Sequence, residues 1–319
     1  MKHEGFGRVD LFIKKVEQQG VSNNSRKYVE REDVGMPSPQ RSRVRVNGLV
    51  LAYLCVMHVI AVSAFFLPMR LSYLCLAAFV YLFIGFSTTI GLHRLLSHKS
   101  FKCPKWLEYL LVTGAMLTGQ GSPLLWVANH RIHHQQSDQE GDIHSPQRGF
   151  WYSHFLWIID DDSTDSLAYR KYCKDLLADP YYHWLVRYRL VPQMAAVLAV
   201  GFALGWAAVP SVFFLPVVCW MHSTYSVNSF CHHRWFGSRM FKTRENSRNV
   251  WWVGLLALGE GWHNNHHAFP RSARHGMKWY QLDLSYLLIR LLGQIGLAWN
   301  IKEPPETVRQ CSVARPSRV

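Results

Sequence analysis

The sequence has few features of a disulfide-bonded, zinc-finger or nucleic-acid-binding protein. Its seven cysteines are scattered, odd in number and without a CxxC pair, which argues against a disulfide framework or a zinc knuckle and indicates a reducing compartment. Acidic residues are scarce, with 21 Asp and Glu against 35 Lys and Arg, so the net charge is +14. No nucleic-acid-binding motif accompanies this charge, and we predict no nucleic-acid partner. A basic surface equally suits anionic lipid headgroups or acidic electron carriers.

Long apolar runs alternate with polar stretches that are rich in Arg and His. A membrane-spanning helix needs about 20 apolar residues, and four segments reach this length: 48–67, 72–92, 190–209 and 211–230. The connection within each pair is very short, with a tight turn at Pro210 in the second pair. We therefore predict an all-α integral membrane protein in which two helical hairpins carry a helical cytosolic cap.

The distribution of basic residues predicts the orientation. Residues 1–46 contain many Arg and Lys residues, whereas the two short connections contain only Arg70. Because positive charge favours the cytoplasmic side, both termini and the long polar segments are expected in the cytoplasm. Segment 106–125 is also apolar but contains Glu108, three glycines and Pro123. We expect it to be an interfacial or re-entrant helix, because a fifth span would separate histidine clusters that share a site.

Histidines are grouped in three motifs at the predicted cytoplasmic ends of these segments. The motifs are HRLLSH from residue 93, HRIHH from residue 130 and HNNHH from residue 263. The i, i+3, i+4 spacing of the last two places three imidazoles on one face of a helix. Asn228 and His232, four residues apart, could add an amide and a further nitrogen. The other histidines, including His144 and His275, are expected to be structural.

The clustered imidazoles outnumber the coordination positions of one metal ion, but they suit two ions. Imidazole binds Zn, Cu, Fe and Ni, and the lack of clustered cysteine argues against an iron–sulfur cluster. An open, nitrogen-rich and redox-capable pair of metals beside a lipid phase points to O2 activation by iron. From the residues alone, copper stays open.

The motifs resemble those of the membrane-bound fatty-acyl desaturases of the stearoyl-CoA desaturase type. The resemblance runs from about residue 47 to 305 and includes GLHRLLSHKSFK, WVANHRIHHQQSD, NSFCHHRWFG and GEGWHNNHHAFPRSARHG. The residues of these motifs are more similar to those of the bacterial, cyanobacterial and plant delta-9 branch than to those of the vertebrate branch. It implies an enzyme that uses O2, two electrons and two iron ions to introduce a cis double bond into a saturated acyl chain.

The resemblance also implies roles for individual residues. Asn228 would hold a metal through water, Trp126 would line the bend of an acyl tunnel, and Gln120 would line the same tunnel. The implied metal ligands are nine histidines: His93, His98, His130, His133, His134, His232, His263, His266 and His267.

Further expectations complete this interpretation. Ligating imidazoles need acceptors that fix their tautomers, and Asp138, Asp142 and Glu260 are the candidates. The domain is expected to span residues 47–305, between disordered tails at 1–46 and 306–319. No HPGG heme motif of a fused cytochrome b5 occurs, so electrons would come from a separate ferredoxin, or from a cytochrome b5 with its reductase.

Several alternatives stay open. A fatty-acid or alkane hydroxylase shares the histidine motifs, and a multispan metal-binding or transport protein is a rival of another class. The substrate carrier is either CoA or a glycerolipid. The bacterial inner membrane is the expected location, or the endoplasmic reticulum if the source is eukaryotic.

Overall fold

Helices form all the regular structure that the computed structural model describes, which comprises residues 44–161, 168–306 and 308. Isolated β-bridges, such as Val46 with Asp160, join loops, and no strand occurs within these ranges. The prediction of an all-helical chain is therefore confirmed for them. The predicted tails lie almost entirely outside the described residues. The α-helices are α1 Gly48–Ser63, α2 Leu71–Phe86, α3 Lys105–Met116, α4 Pro123–Gln136, α5 Trp157–Ile159, α6 Ala168–Tyr172, α7 Pro180–Arg187, α8 Val191–Leu204, α9 Leu215–Ser229, α10 Trp251–Leu256, α11 His263–Ala268 and α12 Leu284–Gln294.

Side-chain caps start α1 and α4, whereas α11 begins without one. The Asn47 side chain accepts a hydrogen bond from the Val50 N–H at the start of α1. Ser122 caps α4 in the same way through the Leu125 N–H, and Pro123 follows at the first helical position. Such caps satisfy N–H groups that have no partner within the helix. The cap of α4 therefore helps to determine where this helix begins, and its histidines follow in the later turns.

Three continuous helical stretches are long and apolar enough to cross a membrane: Gly48–Phe66, Leu71–Ser97 and Trp206–His232. The second continues α2 through π-helical turns that end at Ser97, and the third joins shorter turns to α9. Each of these two has 27 residues, which corresponds to about 40 Å against a hydrocarbon thickness of about 30 Å. Their ends can therefore stand outside the hydrocarbon.

The predicted third span differs from the structure. Helix α8 has only 14 residues, and it reaches a spanning length only together with α7, from which it is bent by 67°. The structure thus has three candidate spans, or four if this bent pair is one span. The turn also lies elsewhere than predicted, at Gly205 with φ 87°, whereas Pro210 belongs to the next helix. Proline is tolerated in a first helical turn because its missing N–H has no partner there.

Segment 106–125 is not one helix. Helix α3 ends at Met116, and a turn containing Gly119 (φ 67°) and Gly121 (φ 93°) leads into α4. These left-handed conformations favour glycine. The segment is not among the candidate spans.

The second span, Leu71–Ser97, and α3 pack closely through two glycines. A Cβ atom on Gly91 would lie 2.9 Å from the Leu111 Cβ, and one on Gly114 would lie 2.9 Å from the Phe83 ring. Neither position has room for a side chain, because interiors are packed to near-crystalline density. This contact holds the end of the second long helix, where His93 lies, against α3.

We predict that Gly91→Val lowers the thermal unfolding midpoint of the detergent-solubilised protein. Overpacking of this kind costs about 1–3 kcal/mol. Gly48→Ala is the control, because a Cβ atom there meets nothing within 4 Å. Equal unfolding midpoints for the two variants would contradict the close packing of the second span on α3.

Candidate metal centre

Two groups of imidazoles meet where the long helices end. The described residues contain one group of five histidines and one of four, each with ligand atoms within 4.8 Å of one another. We name them the five-histidine cluster and the four-histidine cluster. The first comprises His93, His98, His130, His134 and His266, and the second comprises His133, His232, His263 and His267. Together they are the nine histidines that the sequence motifs predicted as ligands.

Helices α4 and α11 each contribute to both clusters. In α4, His130 and His134 point to the five-histidine cluster and His133 to the other. In α11, His263 and His267 belong to the four-histidine cluster and His266 to the five-histidine one. Residues four apart stack along one side of a helix, whereas the residue between them is rotated away. Each helix thus links the two clusters.

The Nε2 atoms of these imidazoles lie very close together. In the five-histidine cluster, the Nε2 of His266 is 3.1 Å from that of His93 and 2.9 Å from that of His134. In the four-histidine cluster, the Nε2 of His263 is 2.9 Å from that of His232 and 3.0 Å from that of His267. A ring nitrogen has a single in-plane position, either N–H or lone pair, and so satisfies one partner. The remaining contact in each cluster is repulsive unless a cation lies between the nitrogens.

Burial keeps the imidazoles outside the spans neutral. It lowers their pKa well below the ordinary value, and repulsion between neighbouring imidazoles lowers the pKa further; this applies to His98, His130, His133, His134, His263, His266 and His267. The neutral ring is the form that binds metals, because it has a free lone pair.

Carboxylates face the other ring nitrogen of several cluster histidines. The Nδ1 of His93 lies 2.7 Å from Glu260, and the Nδ1 of His133 lies 3.1 Å from both oxygens of Asp142. Each of these contacts favours the Nδ1–H tautomer, which leaves Nε2 free. Asp138 similarly lies 3.0 Å from the Nδ1 of His232. The three carboxylates predicted from the sequence are therefore all in contact with cluster histidines.

A buried arginine supports one of these carboxylates. Arg94 is fully buried, and its Nη2 lies 3.2 Å from Glu260 and 2.9 Å from Asp283. Burial alone would raise the pKa of Glu260, but His93 and the Arg94 guanidinium hold it well below its ordinary range. Glu260 is therefore ionised where it accepts the His93 proton.

Three further residues at the site were missed by sequence reasoning. His144 and His275, which were expected to be structural, lie with ring centroids 4.3 Å from His133 and 4.4 Å from His266. Glu245 lies 3.5 Å from the Nδ1 of His267. Their only sequence signal is nearness to the motifs, which does not distinguish them from surface residues.

A cavity of about 620 Å³ reaches both clusters. His93 and His130 of the first cluster and His133 and His263 of the second line it. Its walls continue along α1 and α9, and they include Val50, Leu54, Leu125, Met221 and Val227. This volume lies within the usual range for ligand pockets.

The three remaining candidates from the sequence line this cavity. Trp126 stacks on His130, with ring centroids 5.3 Å apart and an interplanar angle of 14°. The Gln120 amide donates a 3.2 Å hydrogen bond to the Thr224 hydroxyl. Asn228 lies in the same cavity wall.

The donor set fits metal ions. Each cluster offers neutral nitrogen donors, and the buried Nε2 of His133 has no hydrogen-bond partner among the residues that the structure describes. Buried polar atoms are rarely left without a partner. All-imidazole sites suit Fe, Zn, Cu and Ni.

The chain matches known proteins over most of its length. The family model "Fatty acid desaturase" matches residues 71–300. The probable chloroplastic lipid desaturase ADS3.2 of Arabidopsis thaliana is 46% identical over 70% of this chain, which spans 62% of that protein. The sn-1 stearoyl-lipid 9-desaturase of Anabaena variabilis is 39% identical over 82% of this chain and 96% of that protein. The sn-2 palmitoyl-lipid 9-desaturase of Nostoc sp. (strain 36) is 39% identical over 85% and 96%. These plant and cyanobacterial relatives confirm the resemblance.

We predict that Glu260→Gln weakens metal binding by about 10–100-fold, the usual effect of losing a hydrogen-bond acceptor behind a ligand. The five-histidine cluster would lose affinity, and the four-histidine cluster would keep it. Titration of the metal-free protein with Fe²⁺ under anaerobic conditions, with iron counted per chain, measures this. Glu140→Gln is the control, because Glu140 is exposed. Equal loss at both clusters would contradict the assignment of Glu260 to His93.

Proposed function

Because the chain belongs to the fatty acid desaturase family, we propose that it is an O2-dependent di-iron desaturase. The proposed reaction introduces a cis double bond at the delta-9 position of an acyl chain carried on a membrane glycerolipid. The acyl chain gives up two hydrogens, and a carrier gives two electrons. With two protons these reduce O2 to two waters.

The single observation that carries this proposal is the meeting of two imidazole clusters on one cavity. An unactivated C–H bond has no acidic proton and no electrophilic centre for a side chain to attack. Metal-based O2 chemistry is therefore needed, and two bound iron ions would supply it. Two sets of neutral nitrogen donors beside a ligand-sized cavity support that assignment.

The side chains of the protein would bind the metal ions and orient their ligands. We assign the nine histidines as metal ligands and Asn228 as a ligand through water. Glu260 and Asp142 hold the Nδ1 protons of His93 and His133 and so direct the Nε2 lone pairs inward, and Asp138 lies 3.0 Å from the Nδ1 of His232. The cluster histidines are buried or half-buried, which limits the access of bulk water to the reacting centre.

Residues of the cavity wall would determine the position of the double bond. Methylene groups offer no hydrogen bonds, so position along the chain has to be measured by the shape of the cavity. The Gln120–Thr224 hydrogen bond ties the turn before α4 to α9, and Trp126 stacks on His130. We assign these residues to the part of the wall that holds the acyl chain at a constant distance from the clusters.

A glycerolipid is the proposed carrier because the relatives are named as lipid desaturases. The exposed apolar side chains of the first span, Gly48–Phe66, such as Leu49, Val59 and Phe66, suit contact with lipid. Acyl-CoA is the second candidate. We propose that the helices span a membrane with the clusters and both termini in the cytoplasm, the inner membrane of a bacterium being the first candidate and the endoplasmic reticulum the second. The electron donor would be a separate ferredoxin, or a cytochrome b5 with its reductase.

The rival functions have less support. A hydroxylase would use the same clusters, but the relatives are named desaturases. A transporter places ionisable ligands near the bilayer midplane. Here the clusters lie at the ends of the long helices, as His232 illustrates by ending the third span.

Expression in a host without its own delta-9 desaturase, followed by fatty-acid methyl ester analysis, tests the activity. We expect new cis-monoenes, and their loss by about a hundredfold or more on His133→Ala, because a ligand matters at least as much as its hydrogen-bond partners. His183→Ala is the matched control, since His183 is exposed and outside both clusters.

Separation of lipid classes before the analysis identifies the carrier. Labelled monoene that appears first in glycerolipid supports the proposal, and monoenoyl-CoA that appears first supports the second candidate. Hydroxylated products, or unchanged lipids in cells with reductant and about two irons per chain, would contradict desaturation.

Loss of the Gln120 side chain is expected to broaden the position of the double bond. Gln120→Ala removes the hydrogen bond to Thr224, and a small displacement of a bound substrate can cost about a hundredfold in rate. Mass spectrometry of derivatised monoenes measures the ratio of positional isomers. Gln139→Ala, at an exposed position, should leave the ratio unchanged. An unchanged ratio in Gln120→Ala as well would remove Gln120 from the wall that determines position.

A further inference from the structure

Residues 233–250 form a long loop that connects His232 to α10, and we name it the basic loop. Its sequence is HRWFGSRMFKTRENSRNV, with five Arg or Lys residues and a single acidic residue, Glu245. The described chain forms no helix or strand within it, apart from isolated bridges such as Ser238 with Asn249. Loops of this length in compact domains are uncommon and usually functional.

The loop presents positive charge without compensating carboxylates. Arg234, Arg239, Lys242 and Arg244 are exposed, whereas Glu245 is buried and faces His267. Among residues 44–161, 168–306 and 308, no carboxylate forms an ion pair with a cation of the loop. Trp235 is 73% exposed, and the Arg234 guanidinium lies 4.9 Å from the centre of its ring. Exposed Trp beside Arg is typical of residues that dominate binding at protein interfaces.

Hydrogen bonds fasten the loop directly onto the metal centre. The Asn264 side-chain oxygen, between the ligands His263 and His266, accepts from the backbone N–H groups of Met240 and Phe241 at 2.7 and 2.8 Å. The Arg244 guanidinium donates to the Gln135 carbonyl, just after His134, at 2.6 Å. The loop is therefore hydrogen-bonded to residues next to ligands of both clusters: Asn264 next to His263, and Gln135 next to His134.

We propose that the basic loop is the docking surface for an acidic one-electron carrier protein. This inference rests on the proposed function, which needs two electrons per double bond and therefore two docking events, each delivering one electron. Electron transfer falls steeply with distance, and the loop is hydrogen-bonded to Asn264 and Gln135, which adjoin the ligands His263 and His134. Opposite charge speeds such encounters, and electron-transfer complexes have small interfaces that such a loop can supply.

A second group of cations provides a matched comparison. Lys102 and Arg271 are exposed and lie on segments that backbone hydrogen bonds join through residues 299–302. Neither forms an ion pair within the described chain. Their removal lowers the net charge as much as removal of two loop cations, but it leaves the basic loop intact.

The test uses the double variant Arg234→Gln/Lys242→Gln. Neither side chain makes a hydrogen bond in the described structure, so the loop should keep its fold. The full-length, iron-loaded protein in neutral-lipid nanodiscs receives electrons from reduced acidic [2Fe–2S] ferredoxin, with lipid substrate at saturation. We expect kcat/KM for ferredoxin to fall about tenfold at low salt. The difference should shrink near 1 M salt, where the Debye length is about 3 Å.

Two further measurements separate docking from catalysis. Turnover driven by dithionite, a small donor that needs no docking surface, should be unchanged in the double variant, as should iron per chain. Trp235→Ser should also lower kcat/KM for ferredoxin, but with the salt dependence of the unmodified protein, because it removes apolar contact and not charge.

Three outcomes would overturn the proposal. The first is an unchanged kcat/KM for ferredoxin in the double variant. The second is an equal loss in Lys102→Gln/Arg271→Gln, which would assign the effect to net charge. The third is weaker binding to anionic vesicles with unchanged ferredoxin kinetics, which would make the loop a membrane contact. Absence of monoene with either donor in the unmodified protein would instead contradict the proposed function itself.

Discussion

The crowding of neutral imidazole nitrogens is the constraint on which the rest of the structure depends. The Nε2 of His266 and the Nε2 of His263 each have two imidazole neighbours within 3.1 Å, and a ring nitrogen can satisfy one. A cation bound between these nitrogens would remove the remaining repulsion, because each lone pair would then face positive charge. Carboxylates on the outer side of the rings, such as Glu260 and Asp142, keep the protons away from the centre and supply compensating negative charge. Around a bound cation the charges would alternate outward: imidazole, then carboxylate and, behind Glu260, the guanidinium of Arg94.

The histidine motifs allowed the residues of this site to be predicted, but not how they are grouped into two clusters. Spacing of i, i+3, i+4 placed each triplet on one helical face, and the structure brings all nine together. Helical geometry separates His133 from His130 and His134, and His266 from His263 and His267, but the spacing could not show which histidines of other segments join each group. That pairing depends on how distant segments pack together, which is a tertiary property. Glu245 and His275 belong to the site for the same reason, since contacts between distant segments bring them there.

For the membrane segments, too, composition indicates that apolar spans are present but not where the chain bends or turns. Apolar length identified three continuous spans, because a helix is the only way for an isolated segment to satisfy its backbone in lipid. It placed a third span at 190–209, whereas in the structure a run of spanning length occurs there only if α7 and α8, which are bent by 67°, count as one span. It also placed a turn at Pro210, although proline starts a helix well and Gly205 supplies the left-handed turn. Hydropathy depends on composition alone, whereas bends depend on the backbone conformations of one or two residues.

The length of the spans explains how one metal centre could receive a lipid substrate from the membrane and electrons from a water-soluble carrier. The helices Leu71–Ser97 and Trp206–His232 are each about 10 Å longer than the hydrocarbon is thick. His93 and His232 lie at their ends, so the clusters can stand at the membrane surface. The cavity reaches both clusters and is lined in part by residues of α1 and α9, so an acyl chain bound there would be shielded from water. The basic loop is attached beside the clusters by hydrogen bonds to Asn264 and Gln135. Lipid and electrons would then reach the same buried nitrogens by separate routes, and neither route has to open the site to bulk water.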